Sequence, residues 1–151
     1  MAEYVTVSYT HLMTAALISR YLNIDISQYE SVELPYADLA EIPDWALGHV
    51  KALYAQDILK GTVVNGVSMF QPGANATRAQ IMTLMGRTIS RGYSYGWAPF
   101  DDRAQVPTWA QDHVDLLYYM NIVSGYAGTN EVRPTAPITR AEFASLLYKI
   151  F

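Results

Sequence analysis

A chain that repeats its own sequence has to fold as repeated units. One short supersecondary unit cannot bury its apolar face alone, so neighbouring units share a core. Here the segment from Tyr36, YADLAEIPDWALGHVKALYAQDILKG, realigns with FDDRAQVPTWAQDHVDLLYYMNIVSG from Phe100 at an offset of 64 residues. Asp38 answers Asp102, Pro43 answers Pro107, Trp45-Ala46 answers Trp109-Ala110, and His49-Val50 answers His113-Val114. Leu53-Tyr54, Ile58 and Gly61 answer Leu117-Tyr118, Ile122 and Gly125.

Beyond each glycine lies a loop, and then the register resumes. Phe70-Gln71-Pro72 answers Val132-Arg133-Pro134, and ATRAQIMTLMGR from Ala76 answers ITRAEFASLLYK from Ile138. The offset there is 62, so the later copy lacks two loop residues, a change that surface loops tolerate. A third, partial copy, VSYTHLMTAALI from Val7, aligns with ATRAQIMTLMGR and lacks the Trp-bearing half. The chain is read as one module, residues 1–151, with a partial repeat at 7–22, a second repeat at 36–91 and a third at 100–151.

Each full unit predicts two helices. Trp45, His49, Val50, Leu53 and Tyr54 recur near the helical period and make one broad face. Asp44 and Thr108, just before each Trp, are expected N-caps. Gly61 and Gly125 are expected where a left-handed helix stop falls. The second helix opens on Thr77 with Gln80 three residues on, and on Thr139 with Glu142. That spacing is a capping box, in which side chains satisfy the first orphan amides of the helix. Ser8 and His11 hold the same places in the partial copy, His11 as the poorer reciprocal partner. The fold class is therefore all-α: tandem helix–loop–helix repeats around a pseudo-threefold three-helix core. That core is formed by the capped helices at 8–22, 77–91 and 139–150, with linkers at 23–36 and 91–100.

The totals remove several function classes. A net charge of −4 leaves no electrostatic footprint for nucleic acid. No run approaches the roughly 18 apolar residues that span a membrane. The absence of Cys removes disulfides and thiolate metal sites. Met1-Ala2-Glu3-Tyr4 lacks the basic and apolar stretches of an export signal, so an exported parent is expected to have shed one or to carry it upstream. The acids recur as repeat positions, not as a unique pair, and no Ser–His–Asp order or phosphate-binding Gly-rich loop occurs. The module is read as non-enzymatic, with no cofactor. His49 and His113 lie 64 residues apart on apolar faces; they read as packing or structural hydrogen-bonding groups, not metal ligands. The 12 Tyr, in a chain with only 16% charged residues, suit half-buried grooves and sugar contacts as well as a small core.

These motifs resemble the S-layer homology family. The resemblance rests on Tyr36-Ala37-Asp38 and Phe100-Asp101-Asp102, the two Trp-Ala helices, Asn121-Ile122-Val123-Ser124-Gly125, and Phe70-Gln71-Pro72. It is completed by Thr77-Arg78-Ala79-Gln80 and Thr139-Arg140-Ala141-Glu142. It implies a helical, non-catalytic cell-wall anchor at the bacterial surface. It further implies binding of an anionic secondary cell-wall polysaccharide, often pyruvylated, through grooves between repeats. Arg78 and Arg140 are then the expected carboxylate contacts, since a planar guanidinium pairs bidentately with a carboxylate. Asp38 and Asp102 would accept from sugar hydroxyls, Trp45 and Trp109 would offer ring surface, and Gly61 and Gly125 would let backbone approach a sugar.

Other readings stand beside these: each Arg pairing with an acid of a neighbouring helix, each Asp capping its own helix start, each Trp filling the core. In the partial copy Tyr9 replaces the Arg and His11 the acid, so at most two competent grooves are expected. The missing half is expected to mean either that the chain was trimmed from a longer one or that another molecule covers the exposed face, as in dimerisation or a swap, so a homo-oligomer through the first repeat is one expectation. The alternative function is a degenerate module that mediates protein–protein contact.

Overall fold

The computed structural model describes residues 11–89 and 96–150; Ser8 and Tyr9 of the partial copy lie outside them. The described residues are mostly helical, with five α-helices and a single two-stranded hairpin, in keeping with the all-α expectation. They divide after Asn75 into two compact units.

In the first unit, α1 (His11–Tyr21) and α2 (Asp44–Ala55) pack together. Ala15, Ala16 and Ile18 are buried on α1, and Ala46, Val50 and Leu53 on α2. His49 lies among them, its Nδ1 2.9 Å from the Ser19 hydroxyl. Burial, reinforced by the Arg20 charge, lowers its pKa and favours the neutral ring. This is the structural hydrogen-bonding role read for the repeated histidine. After α2 the chain forms β1 (Thr62–Val64) and β2 (Val67–Met69), antiparallel across Asn65-Gly66. Both turn residues have positive φ, which an Asn-Gly pair supplies at little cost. The sequence reading placed only a loop there.

In the second unit, α3 (Arg78–Ile89) packs on α4 (Thr108–Tyr119), and α5 (Arg140–Ile150) follows. Ile81, Met82, Met85, Val114, Leu117 and Phe143 are its largest buried helical side chains. A Cβ placed on Gly86 would come within 2.5 Å of His113 Nδ1 and 2.7 Å of His113 Cβ. The glycine is thus what lets α4 approach α3 at the second repeated histidine. In each unit one helix, α1 or α3, packs on the Trp helix that follows it in the chain, so the compact units are out of phase with the sequence repeats.

The reciprocal capping box forms at α3, and its Thr half forms at α5. Thr77 N donates to Gln80 Oε1 at 2.9 Å and Gln80 N to Thr77 Oγ1 at 3.2 Å. The next two orphan amides of α3, on Arg78 and Ala79, donate to the carbonyls of Ala136 and Pro134. At α5, Glu142 N donates to Thr139 Oγ1, whose hydroxyl donates to Glu142 Oε1.

Other boundaries differ from expectation. Pro43 and Pro107, not Asp44 and Thr108, are the N-caps, and neither helix has a side-chain cap. Asp44 already sits in the first turn, where a negative charge favours the helix dipole. The helix stops are Asp57 and Asn121, at φ +58° each, not Gly61 and Gly125. Asp57 N returns to Tyr54 O and Ile58 N to Leu53 O; Asn121 N returns to Tyr118 O and Ile122 N to Leu117 O. Asn23, at φ +55°, ends α1 in the same way.

Candidate functional site

The repeated acids set the loops on which the site hangs. Asp38 Oδ1 accepts the Phe70 amide at 2.8 Å and Oδ2 the Gln71 amide at 2.7 Å. Asp102 Oδ1 accepts the Val132 amide at 2.9 Å and Oδ2 the Arg133 amide at 2.7 Å. Both carboxylates are buried, and neither caps its own helical turn. Each staples the loop before the capped helix. That staple holds Gln71 (φ +57°) and Arg133 (φ +50°) in the left-handed region, which side chains other than glycine rarely adopt.

The stapled residue then offers its carbonyl to the preceding copy. Phe70 O lies 3.1 Å from His11 Nδ1, and that nitrogen must carry the proton because a carbonyl only accepts. Val132 O accepts from Arg78 Nε at 2.8 Å. One loop carbonyl therefore receives an imidazole in the first unit and a guanidinium in the second.

Arg78 is held on three sides. Its Nη1 pairs with Glu142 Oε2, its Nε is spent on Val132, and its guanidinium carbon lies 4.7 Å from the centre of the Tyr126 ring. Tyr126 donates its hydroxyl to the same Glu142 oxygen at 2.9 Å. Burial pushes that hydroxyl's pKa up, against the pull of Arg78, and a neutral phenol remains a donor. This is the pairing of Arg with an acid of a neighbouring helix, a reading left open by the sequence.

Beside this network is a pocket of about 300 Å³. Arg78, Glu142, Ser124, Ser145 and Lys149 supply its polar lining, and Ile122, Val123 and Leu146 its apolar part. The turn after α4 and the inward side of α5 thus face the Arg of the second repeat. Two formal cations and one anion leave the pocket one positive charge, in a chain whose net charge is negative.

The remaining expected residues are dispersed. Arg140 is exposed at the head of α5. Trp45 and Trp109 are 54% and 52% exposed, so neither fills the core. Gly61 (φ +74°) makes room for Tyr36: a Cβ there would fall 2.4 Å from the Tyr36 ring and 2.8 Å from Met69 O. A Cβ on Gly125 would lie 3.0 Å from Asn130 Cα. Gly61 thus serves close packing against Tyr36 and β2, and Gly125 close packing within its own loop. Sequence reasoning missed Lys149, although it ends the string aligned with ATRAQIMTLMGR, opposite the basic Arg87. Tyr126 lies in the loop where the register breaks, and no repeat position marks it.

A helical repeat module with stapled loops and a small basic pocket is the class that fold and site define. Residues 35–82 and 99–144 match the S-layer homology domain, and together they span more than half the chain. The chain belongs to the S-layer homology family, a family of non-catalytic cell-wall anchoring domains, and this places it at the cell surface or wall. It is 27% identical over 125 residues to an endoglucanase of Bacillus sp. (strain KSM-635), covering 83% of this chain and 12% of that protein. It is 27% identical over 138 residues to the exoglucanase XynX of Acetivibrio thermocellus, covering 88% of this chain and 12% of that protein. The chain thus spans about an eighth of the length of these relatives. Among the described residues no helix is long and apolar enough to cross a membrane.

Proposed function

We propose that this module anchors its parent protein by binding an anionic, pyruvylated secondary cell-wall polysaccharide, and that it performs no catalysis itself. The observation that carries this reading is the pocket beside Arg78, where a surplus of one positive charge meets two serine hydroxyls and an apolar wall. A pyruvate ketal matches that mixture: one carboxylate, one methyl group and the flanking hydroxyls of a sugar ring. Arg78 supplies the positive field from below, and Arg140 is the equivalent cation of the third repeat. The exposed faces of Trp45 and Trp109 offer flat apolar surface to further sugar rings. Asp102 serves the site through the loop it staples, by fixing the carbonyl that holds Arg78, and Asp38 staples the equivalent loop of the other unit.

A sedimentation assay with purified wall polysaccharide, before and after mild acid removal of its pyruvyl groups, tests the reading. The module is expected to co-sediment with the intact polymer and to lose most of its binding to the treated one. Equal binding to both removes the anionic-ligand claim.

A further inference from the structure

Although Arg78 is the motif cation, its contacts occupy the Nε–Nη1 edge and leave chiefly Nη2 to a ligand. Its side chain is only 8% exposed, and its Nε and Nη1 are committed to Val132 O and Glu142. Glu142 is equally committed: Oε1 accepts from Thr139, and Oε2 accepts from both Arg78 and Tyr126. For a ligand carboxylate to replace Glu142 on Arg78, it would have to displace a part-buried ion pair that the Tyr126 hydroxyl also braces, leaving Glu142 without its cation. Lys149 differs on every count. It is exposed, lines the same pocket from the last turn of α5, and among the described residues its ammonium reaches only Ile122 O, at 3.5 Å. That is longer than an ordinary hydrogen bond, so the ammonium is only weakly held and can turn to an anion.

We infer that Lys149 is the residue that contacts the ligand's carboxylate, and that Arg78 is a positioning residue which builds the pocket wall. The inference rests on the anionic-glycan reading above and narrows it to one side chain. The Ser124 and Ser145 hydroxyls, which also line the pocket, serve the sugar ring. Specificity for the acid then comes from a single flexible ammonium, which acts as a point charge and not as a bidentate fork.

The test is calorimetric titration of the full chain with a methyl hexoside bearing a pyruvate ketal, and with the methyl ester of the same compound. Wild-type protein is expected to prefer the acid to the neutral ester by about tenfold, equivalent to ~1.4 kcal/mol. Lys149→Gln is expected to bind acid and ester alike, with an unchanged melting temperature because the side chain is exposed. Lys149→Arg should retain the preference, and Lys51→Gln, which removes the same charge from α2, should leave it intact. The assignment is overturned if Lys149→Gln keeps the wild-type preference, or if Lys51→Gln abolishes it equally. A wild-type protein that shows no preference for the acid refutes the anionic-glycan reading itself, an outcome distinct from either of these.

Discussion

Replacing Asp102 with Asn separates a stapling acid from a sugar-binding one. The two side chains have the same shape, but a carboxylate presents two acceptor oxygens and a carboxamide only one. In the native loop Oδ1 accepts the Val132 amide at 2.9 Å and Oδ2 the Arg133 amide at 2.7 Å. In the variant one of those contacts becomes a donor facing a donor, at the buried Val132 amide or the part-buried Arg133 amide. Hydrogen bonds to a charged group contribute about 1.5–3 kcal/mol each, and an unsatisfied buried amide costs about 1–3 kcal/mol. One contact is lost outright and the other loses its charge, so a destabilisation of about 2–4 kcal/mol is expected. That is a large share of the roughly 5–15 kcal/mol of a typical domain. Urea denaturation followed by circular dichroism measures it, with the midpoint falling and the slope unchanged. The same change at Asp38, which holds Phe70 and Gln71 in the same way, is expected to cost a similar amount. A loss under about 0.5 kcal/mol, the range of ordinary surface changes, together with weakened glycan binding, would refute the stapling argument and restore the sugar-contact role.

Three further changes test other parts of the structure. Tyr36→Phe removes a hydroxyl that is buried without a hydrogen-bond partner among the described residues. Phe100 holds the equivalent place in the third repeat, so stability should hold or rise by about 1 kcal/mol, and a clear loss in a thermal melt contradicts this. Gly86→Ala gains up to about 1 kcal/mol of helix propensity but drives a methyl group into His113. Overpacking of that kind costs about 1–3 kcal/mol, so the melting temperature should drop, and a rise would show that His113 moves aside freely. For His49, burial lowers the pKa from the ordinary 6.5. Its neutral ring therefore contributes stability in full above that pH, and the contribution is lost as pH falls below it. A pH series of melts should show this loss in the wild type and its reduction in His49→Gln; identical pH dependence in the two would contradict the assignment.

The repeat made most of the helical fold legible, because every aligned apolar stretch became a helix face and both Thr-led strings became capped helices. What it hid was set by backbone conformation. Asp57 and Asn121 end their helices because each can take positive φ and is followed by an isoleucine whose amide returns to the helix; the more conspicuous glycines lie too far along the chain. The hairpin was signalled by Asn65-Gly66 between valines, but it interrupts the register on which the alignment depended. The site was half legible. Position in the repeat picks out Arg78, yet Glu142 and Tyr126 occupy it only after folding, and nothing in the spacing of Asp102 shows that its oxygens would meet two amides some 30 residues away. Lys149 was visible as a repeated basic position, but its availability depends on the weakness of its contact with Ile122.

The central claim, that the pocket beside Arg78 receives the acidic group of a wall glycan, is tested most directly by a backbone amide NMR titration with a pyruvylated wall oligosaccharide. Shifts are predicted to cluster at Ser124, Glu142, Ser145 and Lys149, and to collapse when the pyruvyl group is removed. Shifts confined to the exposed faces around Trp45 and Trp109, or unchanged without the pyruvyl group, would contradict it.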